Sequence, residues 1–158
     1  MEHWKSELNK NGFVHIPKQD HTKLNDIIAK LGNVIMETDV KVNVESRSLV
    51  TSKNELDFHT DHHKAKYIIW FCHKQTSNGG HSIAVNAEKI YYQLTKEEQE
   101  ELKKIELFEH KVFPDDKRSI PLVSEENGRL KFYYSFWLVN EEFKNNQAIK
   151  KFRKLISN

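Results

Sequence analysis

Three observations predict a β-rich α+β domain. Short stretches rich in β-branched and aromatic residues recur along the chain, notably 38–44, 66–72 and 130–134. Helical periodicity is confined to a few brief segments, each with its own start and stop signals. Three Asn-Gly pairs, Asn11-Gly12, Asn78-Gly79 and Asn127-Gly128, punctuate runs that read as strands. Strands therefore outnumber helices, the helices lie at the periphery, and the aromatic strands suggest two packed sheets.

Taken in order, residues 2–10 read as a short helix, Asn11-Gly12 as a turn, and Phe13-Val14-His15-Ile16 as a strand closed by Pro17. Asp20 is placed to cap a helix over 22–31, with Leu24, Ile27, Ile28 and Leu31 on one face and Gly32 ending it. Val40, Val42 and Val44 alternate with Lys41 and Asn43, the period of a half-buried strand; Leu49-Val50 and 56–59 read as further short strands. The run at 66–72 (KYIIWFC) reads as a strand buried on both faces.

Ser77-Asn78-Gly79-Gly80 turns the chain before a short strand at 82–85, and Asn86 caps a helix over 87–94. Thr95-Lys96-Glu97-Glu98 has the form of a capping box, opening a helix that runs to about Ile105 with Leu102 and Ile105 turned inward. Asn127-Gly128, between Leu122-Val123 and 130–134, is a hairpin signal, and Asn140 is read as the cap of a final basic helix ending near Ile156, with Ala148, Phe152 and Leu155 on one side. The spacing shows no repeat or linker, so 1–158 reads as a single domain.

Composition narrows the function classes. The 25 Lys and Arg nearly balance 23 Asp and Glu, which gives no reason to expect a nucleic-acid partner. The single cysteine, Cys72, excludes an intrachain disulfide and has no cationic partner dictated by sequence, so it reads as a structural thiol. The N-terminus has no apolar signal-peptide core, and no apolar run approaches the ~20 residues of a membrane span. A cytoplasmic protein with no membrane partner is expected.

The tripeptide His59-Thr60-Asp61 carries the chemistry. In an extended segment residues i and i+2 project to one face, so the His59 imidazole and the Asp61 carboxylate can converge on one metal ion. Two histidines and one carboxylate on one face of a metal leave positions open for ligands, the arrangement of non-heme Fe(II) oxygenases. A surface pair in a polar loop has the same sequence. Downstream, Gly79-Gly80-His81-Ser82 adds a turn ending in a hydroxyl.

The order of a helix, the strand GFVHI, a helix ending in glycine, alternating strands, FHTD, an aromatic strand, a double-glycine turn and a helix rich in Leu and Glu resembles the Fe(II)/2-oxoglutarate-dependent dioxygenases, specifically the taurine dioxygenase and clavaminate synthase-like superfamily. The resemblance runs from Gly12-Phe13-Val14 to 132–140. It implies a double-stranded β-helix of jelly-roll type with peripheral helices. It matches His59 and Asp61 to the first histidine and the carboxylate of the iron triad, and Ser82 to the Thr or Ser that helps hold the 2-oxoglutarate carboxylate. It also implies Fe(II) as metal, 2-oxoglutarate and O2 as co-substrates, and a small molecule, amino-acid-like by analogy, as the substrate.

The family's remaining site parts are a second iron histidine followed by an arginine that grips 2-oxoglutarate. In this chain no histidine follows His110. His110 with Arg118 has a suggestive spacing, but His110 comes directly after the capped helix, where the family often has a histidine that is not a ligand. Of the other histidines, His62 points away from the face of Asp61, His63 lies on that face toward substrate or solvent, His81 stands where the family commonly has Asp, and His73 ends the aromatic strand. The aromatic run Phe132, Tyr133, Tyr134, Phe136 and Trp137 reads as core whose alternate members can line a pocket.

Three expectations follow. One is an oxygenase part whose site is completed by another polypeptide, or by a C-terminal segment carrying the remaining jelly-roll strands. A second is a non-catalytic oxygenase-fold module serving interaction or regulation, and the third is a compact metalloenzyme using His110. A jelly roll lacking its C-terminal strands leaves sheet edges unpaired, so a second polypeptide or self-association is expected.

Overall fold

The computed structural model describes residues 3–42, 51, 54–75, 77–108 and 119–158. Among them the chain is an α+β mixture of five α-helices and two two-stranded antiparallel sheets. It divides into two units: Met1–Thr38 with Tyr67–Asn86, and Asp39–Lys66 with Ala87–Asn158.

The first unit contains α1 (His3–Asn11) and α2 (His21–Leu31). α2 begins where its sequence says. The Asp20 carboxylate accepts the Lys23 backbone N–H at 2.9 Å, satisfying one of the donors a helix start leaves open. It ends at Gly32, whose φ of 143° is closed to other residues and whose N–H reaches the Ile28 carbonyl at 3.2 Å. Leu24, Ile27, Ile28 and Leu31 are only half-buried. Lys5, Leu8 and Asn9 of α1, Lys30 and Leu31 of α2, and Tyr67 line a small cavity of about 160 Å³.

Several expected strands are absent from this unit. Residues 13–16, 67–72 and 82–85 join no ladder among the described residues, and Ile68 (47% exposed), Trp70 (66%) and Ile83 (71%) face solvent. A strand is completed by a ladder of backbone hydrogen bonds to a neighbour, and apolar β-rich composition alone does not supply one. Phe71 instead packs among imidazoles, its ring centroid 4.7 Å from His21 and 5.1 Å from His73.

The second unit holds the hydrophobic core, centred on Leu102, Ile105, Leu107, Leu122, Ile149 and Phe152, all fully buried. α3 (Ala87–Tyr91) is shorter than the 87–94 expected, because the chain turns at Tyr92 and Gln93 and the Leu94 N–H closes onto the Tyr91 carbonyl at 3.1 Å. α4 (Lys96–Lys104) opens with the expected capping box: Thr95 Oγ1 accepts the Glu98 N–H, and Glu98 Oε2 accepts the Thr95 N–H at 2.8 Å. Leu102 and Ile105 turn inward as the spacing requires.

β1 (Glu106–Phe108) pairs with β2 (Ser119–Pro121) in the register Leu107↔Ile120. β3 (Val123–Glu126) pairs with β4 (Arg129–Phe132) around Asn127-Gly128, whose φ values of 54° and 73° are those of the tight turn that favours this dipeptide. Val40 and Val42 are exposed and outside any strand; Asn43, Val44 and Leu49-Val50 lie outside the described residues. Of the expected 56–59 strand, only a single bridge, His59↔Ser135, is formed.

The last helix, α5 (Gln147–Ile156), is capped by Asn146, whose side chain accepts the Ala148 N–H at 2.8 Å. Asn140, read from the sequence as that cap, instead precedes a 3-10 turn, Glu141–Phe143, and its side chain makes no capping bond. Ala148, Ile149, Phe152 and Ile156 bury one face. Basic residues flanking that face are engaged within the unit: Lys151 reaches Glu98 at 2.8 Å and Arg153 reaches Asp57 at 2.8 Å. No described helix is long and apolar enough to cross a membrane.

Candidate metal centre

His59 enters the second unit on a short extended segment clamped to the aromatic run 132–137. Its backbone bridges to Ser135, and the next residue fixes the register: the Thr60 N–H donates to the Tyr134 carbonyl at 2.7 Å, while Thr60 Oγ1 accepts the Tyr134 N–H at 2.9 Å. With Thr60 held toward Tyr134, His59 and Asp61 project together. His59 Nε2 lies 3.7 Å from Asp61 Oδ1, and the two side chains are 22% and 38% exposed, open to solvent but not loose in it. The i, i+2 expectation thus holds in space for this pair.

The imidazole is oriented from its other nitrogen. His59 Nδ1 lies 2.8 Å from the Asp57 backbone carbonyl, which can only accept, so Nδ1 carries the proton. In the neutral ring Nε2 is then bare, and its lone pair faces a carboxylate oxygen. Two electron-pair donors so placed can share a cation, either a proton or a metal ion. The first alternative raises the His59 pKa, chiefly through the Asp61 carboxylate and with help from the Asp57 carbonyl, against the opposing effect of burial. The second is the usual state of a metal-binding histidine, in which one nitrogen donates to a carbonyl and the other ligates.

With metal–ligand bonds of about 2.1 Å, two donors at adjacent positions of an octahedral ion lie about 3 Å apart, so the 3.7 Å pair would have to close by about 0.7 Å to share one. The Trp137 ring lies tilted beside the His59 ring, their centroids 5.5 Å apart. Among the described residues no third His, Cys, Asp or Glu joins them. His110 and Arg118 lie outside the described residues.

The remaining expected residues have varied placements. His62 is buried and accepts the Lys64 N–H on Nδ1 at 3.1 Å, and its ring packs on His63, which in turn meets Tyr133 edge-on. Ser82 is exposed in an extended stretch of the first unit, as is His81. Cys72, expected to be buried, is exposed, because the apolar segment that carries it is not enclosed in a sheet.

Two residues that support the centre escaped the sequence reading. Asp57 uses its carbonyl to hold His59 and its carboxylate to hold Arg153, while the Arg153 guanidinium also lies 4.0 Å over the Phe136 ring. The alternation that puts His59 and Asp61 on one face also reaches back to Asp57, and this was the available signal; nothing local points to Arg153. No family model, curated protein or solved structure matches this chain.

Proposed function

We propose that this chain supplies two iron ligands, His59 and Asp61, to a non-heme Fe(II)/2-oxoglutarate-dependent oxygenase of jelly-roll type, whose coordination is completed by groups outside the described residues. The observation that carries the reading is the placement of His59 Nε2 3.7 Å from Asp61 Oδ1, with His59 Nδ1 2.8 Å from the Asp57 carbonyl. Two hard or borderline donors on one face suit Fe(II) and leave positions for a chelating co-substrate. When bound, iron would couple O2 to the conversion of 2-oxoglutarate to succinate and CO2, with one oxygen atom delivered to a small-molecule substrate.

The chain's own residues orient the pair. Asp57 keeps the proton on Nδ1, Thr60 fixes the side to which both ligands project, and Trp137 lies beside the imidazole. The second histidine and the arginine come from another polypeptide or a further segment, and His110 is the internal alternative.

The test is succinate formation from 2-oxoglutarate, with Fe(II), by the chain alone and mixed with a candidate polypeptide bearing a His followed by an Arg. Activity only in the mixture, abolished by His59→Ala or Asp61→Ala, supports the reading; activity untouched by both substitutions refutes it. A second reading, an oxygenase-fold module serving interaction, is favoured by the exposed Ile68, Trp70 and Ile83 of the first unit. It predicts association with a partner and no turnover in any mixture.

A further inference from the structure

We propose that Arg153 is a positioning residue that decides which nitrogen of His59 is left bare. The consequence for a metal rests on the reading above, but the tautomer is a property of the metal-free protein. His59 is held by two segments, 57–59 from one side and 135–137 from the other. Arg153 grips both.

Its Nη2 donates to Asp57 Oδ2 at 2.8 Å, and its guanidinium plane lies 4.0 Å over the Phe136 ring. Asp57 is further fixed by its Oδ1, which accepts the Phe58 N–H at 2.9 Å, so the peptide carbonyl aimed at His59 Nδ1 belongs to a residue held at both carboxylate oxygens. On the other side, Phe136 sits between Ser135, the bridge partner of His59, and Trp137, whose ring faces the imidazole at 5.5 Å. Arg153 itself follows the fully buried Phe152 on α5, which anchors its backbone in the core.

Charge to a carboxylate and face to an aromatic ring are both needed, and a guanidinium provides both where an ammonium does not. Without Arg153 the Asp57 carboxylate loses its cation and the 57–58 peptide is free to turn. The carbonyl then leaves Nδ1, and the imidazole relaxes to the Nε2–H form, which puts a proton where a metal would bind.

The experiment reads the His59 tautomer in the metal-free, full-length chain by long-range proton–nitrogen correlation. The spectra are taken at about pH 9, well above the ordinary imidazole pKa of about 6.5. The forms compared are the unmodified protein, Arg153→Ala, Asp57→Asn, and Lys151→Ala, which cuts a different contact of the same helix. The expected result is Nδ1–H in the unmodified protein and in Lys151→Ala, with a change to mainly Nε2–H in the other two. If Arg153→Ala fails to fold, Asp57→Asn, which keeps shape and carbonyl but removes the charge, decides the matter.

Mn(II) affinity, measured in parallel, should fall about 10- to 100-fold with the tautomer change. Nδ1–H retained in folded Arg153→Ala and Asp57→Asn, or Nε2–H in the unmodified protein, overturns the proposal. The expected tautomer change without Mn(II) binding in any form supports the positioning role and removes the metal reading instead.

Discussion

Thr60 and Tyr134, 74 positions apart, exchange hydrogen bonds in both directions, backbone N–H to carbonyl at 2.7 Å and backbone N–H to side-chain Oγ1 at 2.9 Å. The residue between the two proposed ligands is thereby locked to the aromatic segment behind them. Replacing Thr60 by Val keeps the shape but leaves the Tyr134 N–H without its acceptor. The expected cost is about 1–3 kcal/mol in denaturant unfolding, with Thr60→Ser close to the unmodified protein. Equal stability of Thr60→Val and Thr60→Ser would show that the hydroxyl contact is not holding the segment.

Tyr134 offers a pH-dependent test. Its hydroxyl is buried with no hydrogen-bond partner among the described residues, and burial, followed by the nearby Asp57 charge, pushes its pKa well above the usual tyrosine value, against a smaller lowering by Arg153. A raised folded pKa means that stability is fully present below the unfolded value of about 10 and is lost as pH rises beyond it. Tyr134→Phe should unfold no more easily than the unmodified protein at neutral pH and should lose less stability above about pH 10. A parallel alkaline decline in both proteins would contradict this.

Glu98 makes the opposite prediction in acid. The Lys151 ammonium, then the Thr95 backbone N–H, holds its carboxyl below the usual range. The stability it contributes is present above the ordinary carboxyl value and is lost as pH falls through the lowered one. Thermal melts from about pH 6 to 3 should show a shallower acid loss in Glu98→Gln than in the unmodified protein. Identical acid slopes would place the acid-sensitive groups elsewhere.

What could be read from the sequence follows the range of the interactions. Asp20 to Gly32, Thr95 with Glu98, and Asn127-Gly128 are local hydrogen-bond and dihedral codes, and each appears where expected. A strand needs a distant partner, so the apolar run at 67–72 announces an extended chain without saying what pairs with it. Asn140 and Asn146 are equivalent to a local rule, and Asn146 is the one that caps the helix whose Ile149 and Phe152 enter the core. At the candidate centre, His59 and Asp61 were legible because their parity is local. Arg153, 96 positions from Asp57, was not, since its role exists only in the folded unit.

Anaerobic Fe(II) titration by calorimetry tests the central claim most directly, with the unmodified chain, His59→Ala and Asp61→Ala compared at one pH above the imidazole's titration. The account predicts saturable binding at one site in the unmodified protein, weakened at least about tenfold by either substitution, with folding unchanged by circular dichroism. No saturable binding in the unmodified chain, or binding of equal strength in both variants, would contradict it.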